Sequence, residues 1–201
     1  MYLRKLDELI ELGVDRISSS ELGKQMGFTP SQIRQDFSCF GEFGQQGYGY
    51  RVADLREQVA RILGMNEHFT VAVIGVGNLG QALLQNMHFA ELGFSITAAF
   101  DASPDKIGST VSDIRVQDSS NLTDWLRDNP TDIAVLTVPQ TVARDVAKAV
   151  ADCGVKGIWN FTNIDLDVGS TDIFVENIHF SDSLLALSYF VNGRRRLEED
   201  I

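Results

Sequence analysis

The 201-residue sequence predicts an α/β fold, in which a small helical domain precedes a doubly wound, mostly parallel sheet. Three observations support this prediction. From Phe69 onward, short β-branched apolar runs alternate with helical stretches, as in parallel strands joined by crossover helices. Before Phe69 the apolar residues recur mainly at helical spacing. Near the C-terminal end, one helical stretch is apolar on most of its sides.

The first part of the chain contains four predicted helices. The first runs towards Gly13, and a capping box at Ser18–Glu21 begins the second. Thr29-Pro30 begins the third, with Thr as N-cap and Pro at the first helical position. After a glycine-rich segment, the stripe from Val52 to Ile62 predicts a fourth helix. A linker is expected at residues 65–68.

The third helix is a candidate recognition helix for DNA. Ile33, Phe37 and Phe40 would be buried, which leaves a face of hydroxyl, amide and guanidinium groups that can contact base edges in a major groove. Residues 41–50 hold four glycines and three aromatics, which suits a tight exposed hairpin able to act as a wing. The residues expected to contact DNA are Ser31, Gln32, Arg34, Gln35, Gln46 and Tyr48. The residues alone equally allow a small oligomerisation domain whose polar face is solvated.

The second part predicts five strands and the helices between them. The strands are Phe69–Ile74, Ser95–Phe100, Ile133–Val138, Ile158–Phe161 and the weaker Ile173–Val175. The intervening helices are Leu79–Leu92, Leu122–Arg127 and Val142–Cys153.

The last predicted helix, residues 181–196, needs cover on more than one side. A helix that is apolar nearly all round must be buried all round, and its own sheet can bury only one face. A second copy of the chain is the simplest cover, so a homodimer is expected. We therefore divide the chain into a candidate DNA-binding domain at 1–66, a sheet domain at 67–180 and a dimerisation helix at 181–201.

The strongest motif is Gly75-Val76-Gly77-Asn78-Leu79-Gly80, between the first predicted strand of the sheet and the next helix. In a dinucleotide site, Gly75 permits the tight turn, Gly77 lets the pyrophosphate approach the backbone, and Gly80 lets helix and strand pack closely. Asp101, 21 residues beyond Gly80, would bind the adenosine ribose hydroxyls and repel a 2′-phosphate, which favours NAD(H) over NADP(H). Two alternatives remain open: a glycine-rich turn that binds nothing, and a site for another diphosphate such as coenzyme A.

Composition and charge narrow the possible functions. With 44% apolar and 22% charged residues, the chain has the composition of a globular protein. The net charge of −11 is uneven, because residues 1–66 hold 8 basic and 9 acidic residues and the remainder 9 and 19. The near-neutral first part can present a local basic face to DNA, whereas the second part would repel phosphates.

No apolar run approaches the roughly 20 residues that span a bilayer, and acidic and basic residues interrupt any N-terminal signal. We therefore expect a cytoplasmic protein that does not contact a membrane. Cys39 and Cys153 lie far apart, which argues against a disulfide framework, and no histidine or acidic cluster predicts a metal site.

Groups that could catalyse hydride transfer are missing from the sequence. A dehydrogenase needs an acid or base near the nicotinamide, commonly a His, or a Tyr with a Lys four residues on. The chain has no such Tyr–Lys pair, and its three histidines, His68, His88 and His179, favour surface or packing roles. We therefore expect no enzyme activity. The alternative is a small NAD-dependent oxidoreductase whose residues 1–66 serve dimerisation.

Taken together, these residues resemble the redox-sensing transcriptional repressor Rex family over nearly the whole chain. The segments that carry the resemblance are Tyr2-Leu3-Arg4, Ser19-Ser20-Glu21, Gln32-Ile33-Arg34 with Asp36, Gly47-Tyr48-Gly49-Tyr50, the Gly75–Gly80 motif, Phe100-Asp101, Leu136-Thr137-Val138-Pro139, Lys156-Gly157-Ile158, Asn160-Phe161 and Val175-Glu176-Asn177.

The resemblance implies a homodimer with winged-helix N-terminal domains, NADH-binding Rossmann domains and a C-terminal helix exchanged between subunits. In such proteins NADH is an allosteric ligand that is not consumed, and a high ratio of NADH to NAD⁺ releases the repressor from palindromic operator DNA. The resemblance also implies which residues lie near the nicotinamide. They are Thr137, Val138, Pro139 and Asn160 of the same subunit, and Phe180 of the partner subunit.

Four positions depart from the family pattern. Gln35 and Gln46 replace basic residues in the recognition helix and wing, which is expected to weaken the attraction to phosphates. Asn86 stands in place of a tyrosine and His179 in place of an acid. The resemblance implies that these last two places couple the cofactor to domain rotation.

Overall fold

The computed structural model describes residues 1–38, 48–85, 88–169 and 172–199, without the side chains of 88 and 193–199. The chain divides into two compact units, the first ending at His68 and the second beginning at Phe69. This division lies two residues beyond the boundary expected from the sequence. The C-terminal helix is part of the second unit.

The described residues of the first unit form a small helical domain with one pair of short strands. In chain order its elements are α1 (Tyr2–Glu11), β1 (Arg16–Ile17), α2 (Ser19–Met26), α3 (Pro30–Ser38), β2 (Tyr50–Arg51) and α4 (Val52–Ile62). The capping box at Ser18–Glu21 is present, and α2 ends at Gly27 with a φ of 77°, as expected for a glycine C-cap. The core of this unit includes Leu6, Leu22, Ile33, Phe37 and Leu55.

One strand pair in this unit was not predicted from the sequence. Tyr50 and Arg51 pair antiparallel with Ile17 and Arg16, which lie between the first two helices. Gly49 is needed at this crossing, because its φ is +67° and a Cβ there would lie 2.6 Å from the Ile17 carbonyl oxygen. Most of the hairpin expected at residues 41–50, including Gln46, lies outside the described residues, as does Phe40 of the predicted third helix, so both expectations stay predictions.

The described residues of the second unit form a seven-stranded sheet, and their α/β order confirms the predicted fold class. The strands are β3 (Phe69–Ile74), β4 (Phe94–Asp101), β5 (Thr110–Val111), β6 (Ile114–Asp118), β7 (Ile133–Leu136), β8 (Gly157–Asn160) and β9 (Phe174–Asn177). The helices are α5 (Asn78–Leu84), α6 (His88–Glu91), α7 (Leu122–Asp128), α8 (Gln140–Asp152) and α9 (Phe180–Glu199). In space the strands follow the order β5-β6-β4-β3-β7-β8-β9, and all but β5 run parallel to their neighbours.

Two parts of this sheet domain were not predicted correctly. The helix expected at Leu79–Leu92 is divided into α5 and the short α6, whose Phe89 ring packs edge-on against Trp159 at 6.0 Å. The hairpin of β5 and β6 was missed. Its two turn residues, Ser112 and Asp113, both have positive φ, at 45° and 66°.

The turn at Ser112-Asp113 offers a test of local strain. Positive φ at both central residues is the geometry of a type I′ turn, for which Asn-Gly is favoured. We expect the double substitution Ser112→Asn, Asp113→Gly to stabilise the chain by about 1 kcal/mol and to raise its thermal midpoint by about 2–4 °C. Differential scanning fluorimetry would measure the shift, with Asp113→Ala as the control because it leaves the unfavourable φ in place. A midpoint equal to that of wild type would contradict the strain argument.

The two faces of the sheet are covered differently. Helices α7 and α8 pack on one face, around Ala72, Phe100 and Leu136. The other face borders an apolar cavity of about 520 Å³, whose lining includes Val73 and Trp159. Among the described residues no helix is long and apolar enough to cross a membrane.

Candidate functional site

The glycine motif lies where the direction of strand order reverses. β3 has β4 on one side and β7 on the other, so the turn after β3 opens the crevice in which doubly wound sheets bind ligands. Gly75 has a φ of +95°, and a Cβ there would lie 2.8 Å from the backbone of Thr137. A Cβ at Gly80 would lie 2.0 Å from the Gly75 carbonyl oxygen. Gly75 and Gly80 are therefore required by the packing of the fold, whether or not a ligand is bound.

Gly77 is different, because neither its conformation nor its neighbours require a glycine. Its φ of −73° is open to any residue, and a Cβ there would meet nothing within 4 Å. Among the described residues, the backbone N–H groups of Gly77, Asn78 and Leu79 donate to no protein acceptor, as is normal at the start of a helix. Open space next to unpaired N–H donors fits a phosphate group that approaches the backbone.

Asp101 stands at the end of β4, next to this turn. Its carboxylate accepts hydrogen bonds from the Val76 N–H at 2.6 Å, the Ser103 N–H at 2.8 Å and the Lys106 ammonium at 3.2 Å. Burial of the carboxylate acts to raise its pKa, but the bonds from Ser103, Val76 and Lys106 outweigh burial and hold the pKa of Asp101 below its ordinary value. The group is therefore a fixed anion at neutral pH, which suits it to accept hydrogen bonds from ribose hydroxyls.

The segment after β7 closes over the glycine turn. The Thr137 hydroxyl donates to the Gly75 carbonyl at 2.5 Å, so it holds the turn in place. Val138 is half-buried and Pro139 is exposed as the N-cap of α8. Both β3 and β7 thus contribute their carboxyl ends to the same crevice.

Asn160, at the end of β8, is 1% exposed and uses all of its hydrogen-bonding capacity inside the protein. Its amide nitrogen donates to the Ile164 carbonyl and to the Asn177 side chain, both at 2.7 Å. Its amide oxygen accepts from the N–H and hydroxyl of Thr162 at 2.9 and 2.6 Å. Asn160 therefore shapes the loop of residues 161–166, and its amide is not free to bind a ligand.

Phe180 begins α9 and is 59% exposed. Its ring stacks on Phe161 of the same chain, with the centroids 6.0 Å apart. His179, in the place of the family's acid, contacts Asp165 with 2.8 Å between Nε2 and Oδ1. Asn86, the other departure in this unit, lies outside the described residues.

In the first unit, α3 buries Ile33 and Phe37 and exposes the predicted polar face. One predicted DNA contact has a structural role as well. The Gln32 side chain accepts from the N–H and hydroxyl of Thr29, both at 2.9 Å, while the Thr29 hydroxyl accepts from the Gln32 N–H. This is a second capping box, of the Thr-x-x-Gln type; the sequence analysis interpreted Thr29 as an N-cap but did not pair it with Gln32.

Arg34 is exposed on the same face and links two helices. Its guanidinium donates to the Ser31 hydroxyl at 3.1 Å and to the Ser19 hydroxyl at 3.2 Å. No carboxylate pairs with Arg34 in the part of the chain that the structure describes. Gln35 is exposed beside it, and Tyr48, with its side chain 70% exposed, directly precedes the crossing at Gly49.

The groups that surround Asp101 were not predicted from the sequence. Lys106 is five residues beyond Asp101 in a turn, and the short spacing was the only available signal. Within the described ranges, no group of three or more His, Cys, Asp or Glu side chains is placed to hold a metal ion.

Comparison with known families matches both units. Residues 66–164 match the family described as "CoA binding domain", and residues 1–38 match "Putative DNA-binding protein N-terminus". Among curated proteins, the redox-sensing transcriptional repressor Rex of Clostridium perfringens (strain SM101 / Type A) is 47% identical over 191 residues, which cover 95% of this chain and 90% of the relative. The protein of the same name from Caldicellulosiruptor bescii is 46% identical and covers 100% and 92%.

Solved structures agree with this result. The crystal structure of RSP in complex with β-NAD⁺ and operator DNA matches with a TM-score of 0.90 and 42% identity, over 98% of this chain and 91% of RSP. RSP in complex with β-NADH matches with a TM-score of 0.92 and 38% identity, over 100% and 93%. RSP is described as a Rex-family repressor.

Proposed function

This chain belongs to the Rex family of redox-sensing transcriptional repressors, and from that premise we propose that it binds operator DNA as a homodimer and is released by NADH. One observation carries the proposal: the chain matches, over nearly its full length, a repressor solved with NAD⁺ and operator DNA and again with NADH. The chain is a regulator, not an enzyme. We also propose that it acts in the cytoplasm.

The adenosine diphosphate half of the dinucleotide would bind at the glycine turn. The N–H groups of Gly77, Asn78 and Leu79 would receive the pyrophosphate. Val76 and Gly80 would shape the turn around it, and Asp101 would receive the ribose. This half is identical in NAD⁺ and NADH, so it gives affinity without redox discrimination.

Discrimination must come from the nicotinamide end, where a cationic ring and a neutral ring differ. We place Thr137, Val138, Pro139 and the loop that Asn160 shapes around this ring, with Phe180 of the partner subunit beside it. A ligand shifts a population only by its differential affinity for the two states. If NADH favours the dimer in which the two recognition helices no longer match successive half-sites, the DNA is released.

The homodimer is supported by the surface of α9. Large apolar side chains on several sides of this helix are between 43% and 75% exposed in a single chain: Leu184, Leu185, Leu187, Tyr189, Phe190 and Val191. Burial of each such side chain stabilises a structure by about 1.5–3 kcal/mol. Exchange of α9 between two copies would bury them.

The test is a fluorescence anisotropy titration. A palindromic duplex, selected for binding by this chain from a random library, is titrated with protein alone, with NADH and with NAD⁺. We expect tight binding that NADH weakens and NAD⁺ does not. Tight binding that NADH leaves unchanged would refute the sensing role but keep the repressor role.

The two alternatives predict different results. A small oxidoreductase with residues 1–66 for dimerisation would oxidise NADH steadily in the presence of aldehydes or ketones. The family that matches residues 66–164 is described as a CoA binding domain, which makes a coenzyme A site the second alternative. If this site binds coenzyme A, coenzyme A should displace bound NADH. We expect neither result.

Arg34 is the side chain on α3 whose loss should weaken DNA binding most. Because it is exposed and has no described carboxylate partner, Arg34→Ala should weaken operator affinity by about ten- to hundredfold, which is the size of one good arginine contact. Lys24→Ala is the matched control, since it removes the same charge from the end of α2. Equal effects of the two substitutions would mean that only net charge matters.

A further inference from the structure

Lys106 is held beside Asp101 by the fold of its own turn. The Lys106 N–H donates to the Ser103 carbonyl at 3.0 Å, and the Lys106 carbonyl accepts from the Ser109 N–H at 3.0 Å and from its hydroxyl at 2.6 Å. The ammonium reaches Asp101 Oδ2 at 3.2 Å, with the lysine side chain 35% exposed and the aspartate 11% exposed. The hydrogen-bonded backbone of this turn therefore holds the Lys106 ammonium next to Asp101, at the edge of the proposed ribose site.

The hydrogen bonds of Asp101 leave little room for a ribose on the carboxylate alone. Oδ2 accepts from Val76 and Lys106, and Oδ1 accepts from Ser103. A carboxylate has about four acceptor positions, so one remains, on Oδ1. The adenosine ribose presents two neighbouring hydroxyls. The ammonium of Lys106 has donors left over, which can bind a ribose oxygen that Asp101 cannot serve.

We propose that Lys106 and Asp101 together bind the adenosine ribose. We also propose that Asp101, by pairing with the Lys106 ammonium, prevents that ammonium from binding a phosphate. This inference rests on the proposed function, because it requires the adenosine half to bind at Asp101. On this basis the Asp101 charge is the main reason for the chain to reject NADPH. Without that carboxylate, the unpaired ammonium stands where a 2′-phosphate would lie.

The Asp101–Lys106 ion pair determines whether a 2′-phosphate meets a net positive charge at this place. With both side chains present, the pair has no net charge, and a 2′-phosphate would have to displace Asp101 from Lys106 and approach a buried anion. With serine or asparagine at position 101, a phosphate dianion meets a free cation and gains a charge-assisted hydrogen bond. Such a bond corresponds to about tenfold or more in affinity.

The experiment uses the full chain and two pairs of probes that differ only in the 2′-phosphate: NADH with NADPH, and 5′-AMP with 2′,5′-ADP. Calorimetric titration of wild type, Asp101→Ser, Lys106→Met and the double variant gives the dissociation constants. Asp101→Asn is a fourth variant, because its amide oxygen still accepts from a backbone N–H. Circular dichroism and thermal midpoints show that each variant is folded.

We expect Asp101→Ser and Asp101→Asn to bind 2′,5′-ADP and NADPH about tenfold or more tighter than wild type does. Lys106→Met in the Asp101→Ser background should cancel that gain. Lys106→Met alone should weaken 5′-AMP and NADH and reject 2′,5′-ADP more strongly than wild type.

Two results would overturn the inference. The first is a double variant that binds 2′,5′-ADP as tightly as Asp101→Ser, which would mean that another cation receives the phosphate. The second is folded Asp101→Asn and Asp101→Ser protein that still rejects NADPH as wild type does. Wild-type protein that binds neither NADH nor 5′-AMP would instead refute the proposed function, and this inference with it.

Discussion

A Gly80→Ala substitution is expected to destabilise the whole sheet domain. Gly80 lies inside α5, where helix propensity alone would favour alanine by about 1 kcal/mol. The added Cβ would lie 2.0 Å from the Gly75 carbonyl oxygen and 3.0 Å from the Thr137 hydroxyl oxygen, and Gly75 is itself held by Thr137. Since the nearest atom is backbone, the helix must move off the strand, at a cost of about 1–3 kcal/mol or more. Steric overlap therefore outweighs propensity, and the midpoint of urea unfolding should fall.

Gly77→Ala is the matched substitution. It is expected to lower NADH affinity and to leave the stability of the fold unchanged. A Cβ at Gly77 meets no protein atom within 4 Å, so the unfolding midpoint should stay close to that of wild type. If the pyrophosphate lies on this backbone, NADH affinity should fall by at least about tenfold, the equivalent of one lost charge-assisted hydrogen bond. Unchanged NADH affinity in Gly77→Ala would place the dinucleotide elsewhere. An unchanged midpoint in Gly80→Ala would refute the packing argument.

The elements that sequence reasoning predicted well are those with a local physical cause. The capping box at Ser18–Glu21 and the proline at the start of α3 depend only on neighbours in the chain. The central strand Phe69–Ile74 was predicted with its observed bounds, because a continuous β-branched run is buried on both faces. The glycine motif followed from the strand and helix around it.

The elements that were missed depend on partners far away in the chain. β6 was missed although Ile114 and Val116 alternate with polar residues, because the run is short and its turn has no glycine. It is a strand because it pairs with β4. Among the described residues, Tyr50 and Arg51 likewise pair with Arg16 and Ile17, more than 30 positions earlier in the chain.

The candidate site shows the same limit. Asp101 was found from its distance to Gly80, but one donor to its carboxylate, the Val76 N–H, comes from the glycine turn, which only the fold brings next to it. The strand that carries Asn160 was predicted at Ile158–Phe161 and is observed at Gly157–Asn160. That its amide is used up by Ile164, Thr162 and Asn177 could not be inferred, because Asn177 is on the neighbouring strand.

The second large effect is expected on α9. We expect the double substitution Leu184→Lys, Leu187→Lys to turn the protein into a folded monomer. Both side chains are exposed in a single chain, at 66% and 59%, so the fold of one copy should not depend on them. If they are buried in the dimer, four such side chains are lost per pair, and the dimer dissociation constant should rise by at least about ten-thousandfold. Analytical ultracentrifugation would measure this change.

Measurements of DNA affinity can distinguish loss of the dimer from damage to the N-terminal DNA-binding unit. Two half-sites are bound tightly only when two recognition helices are joined, so the Lys variant should lose affinity for the palindrome while its weak affinity for a single half-site stays as in wild type. Val142→Lys is the control, since Val142 is also apolar and is 43% exposed, but lies on α8. A Leu184→Lys, Leu187→Lys protein that remains dimeric would show that the exchanged-helix dimer is wrong. The exposed apolar side chains of α9 would then need a different partner.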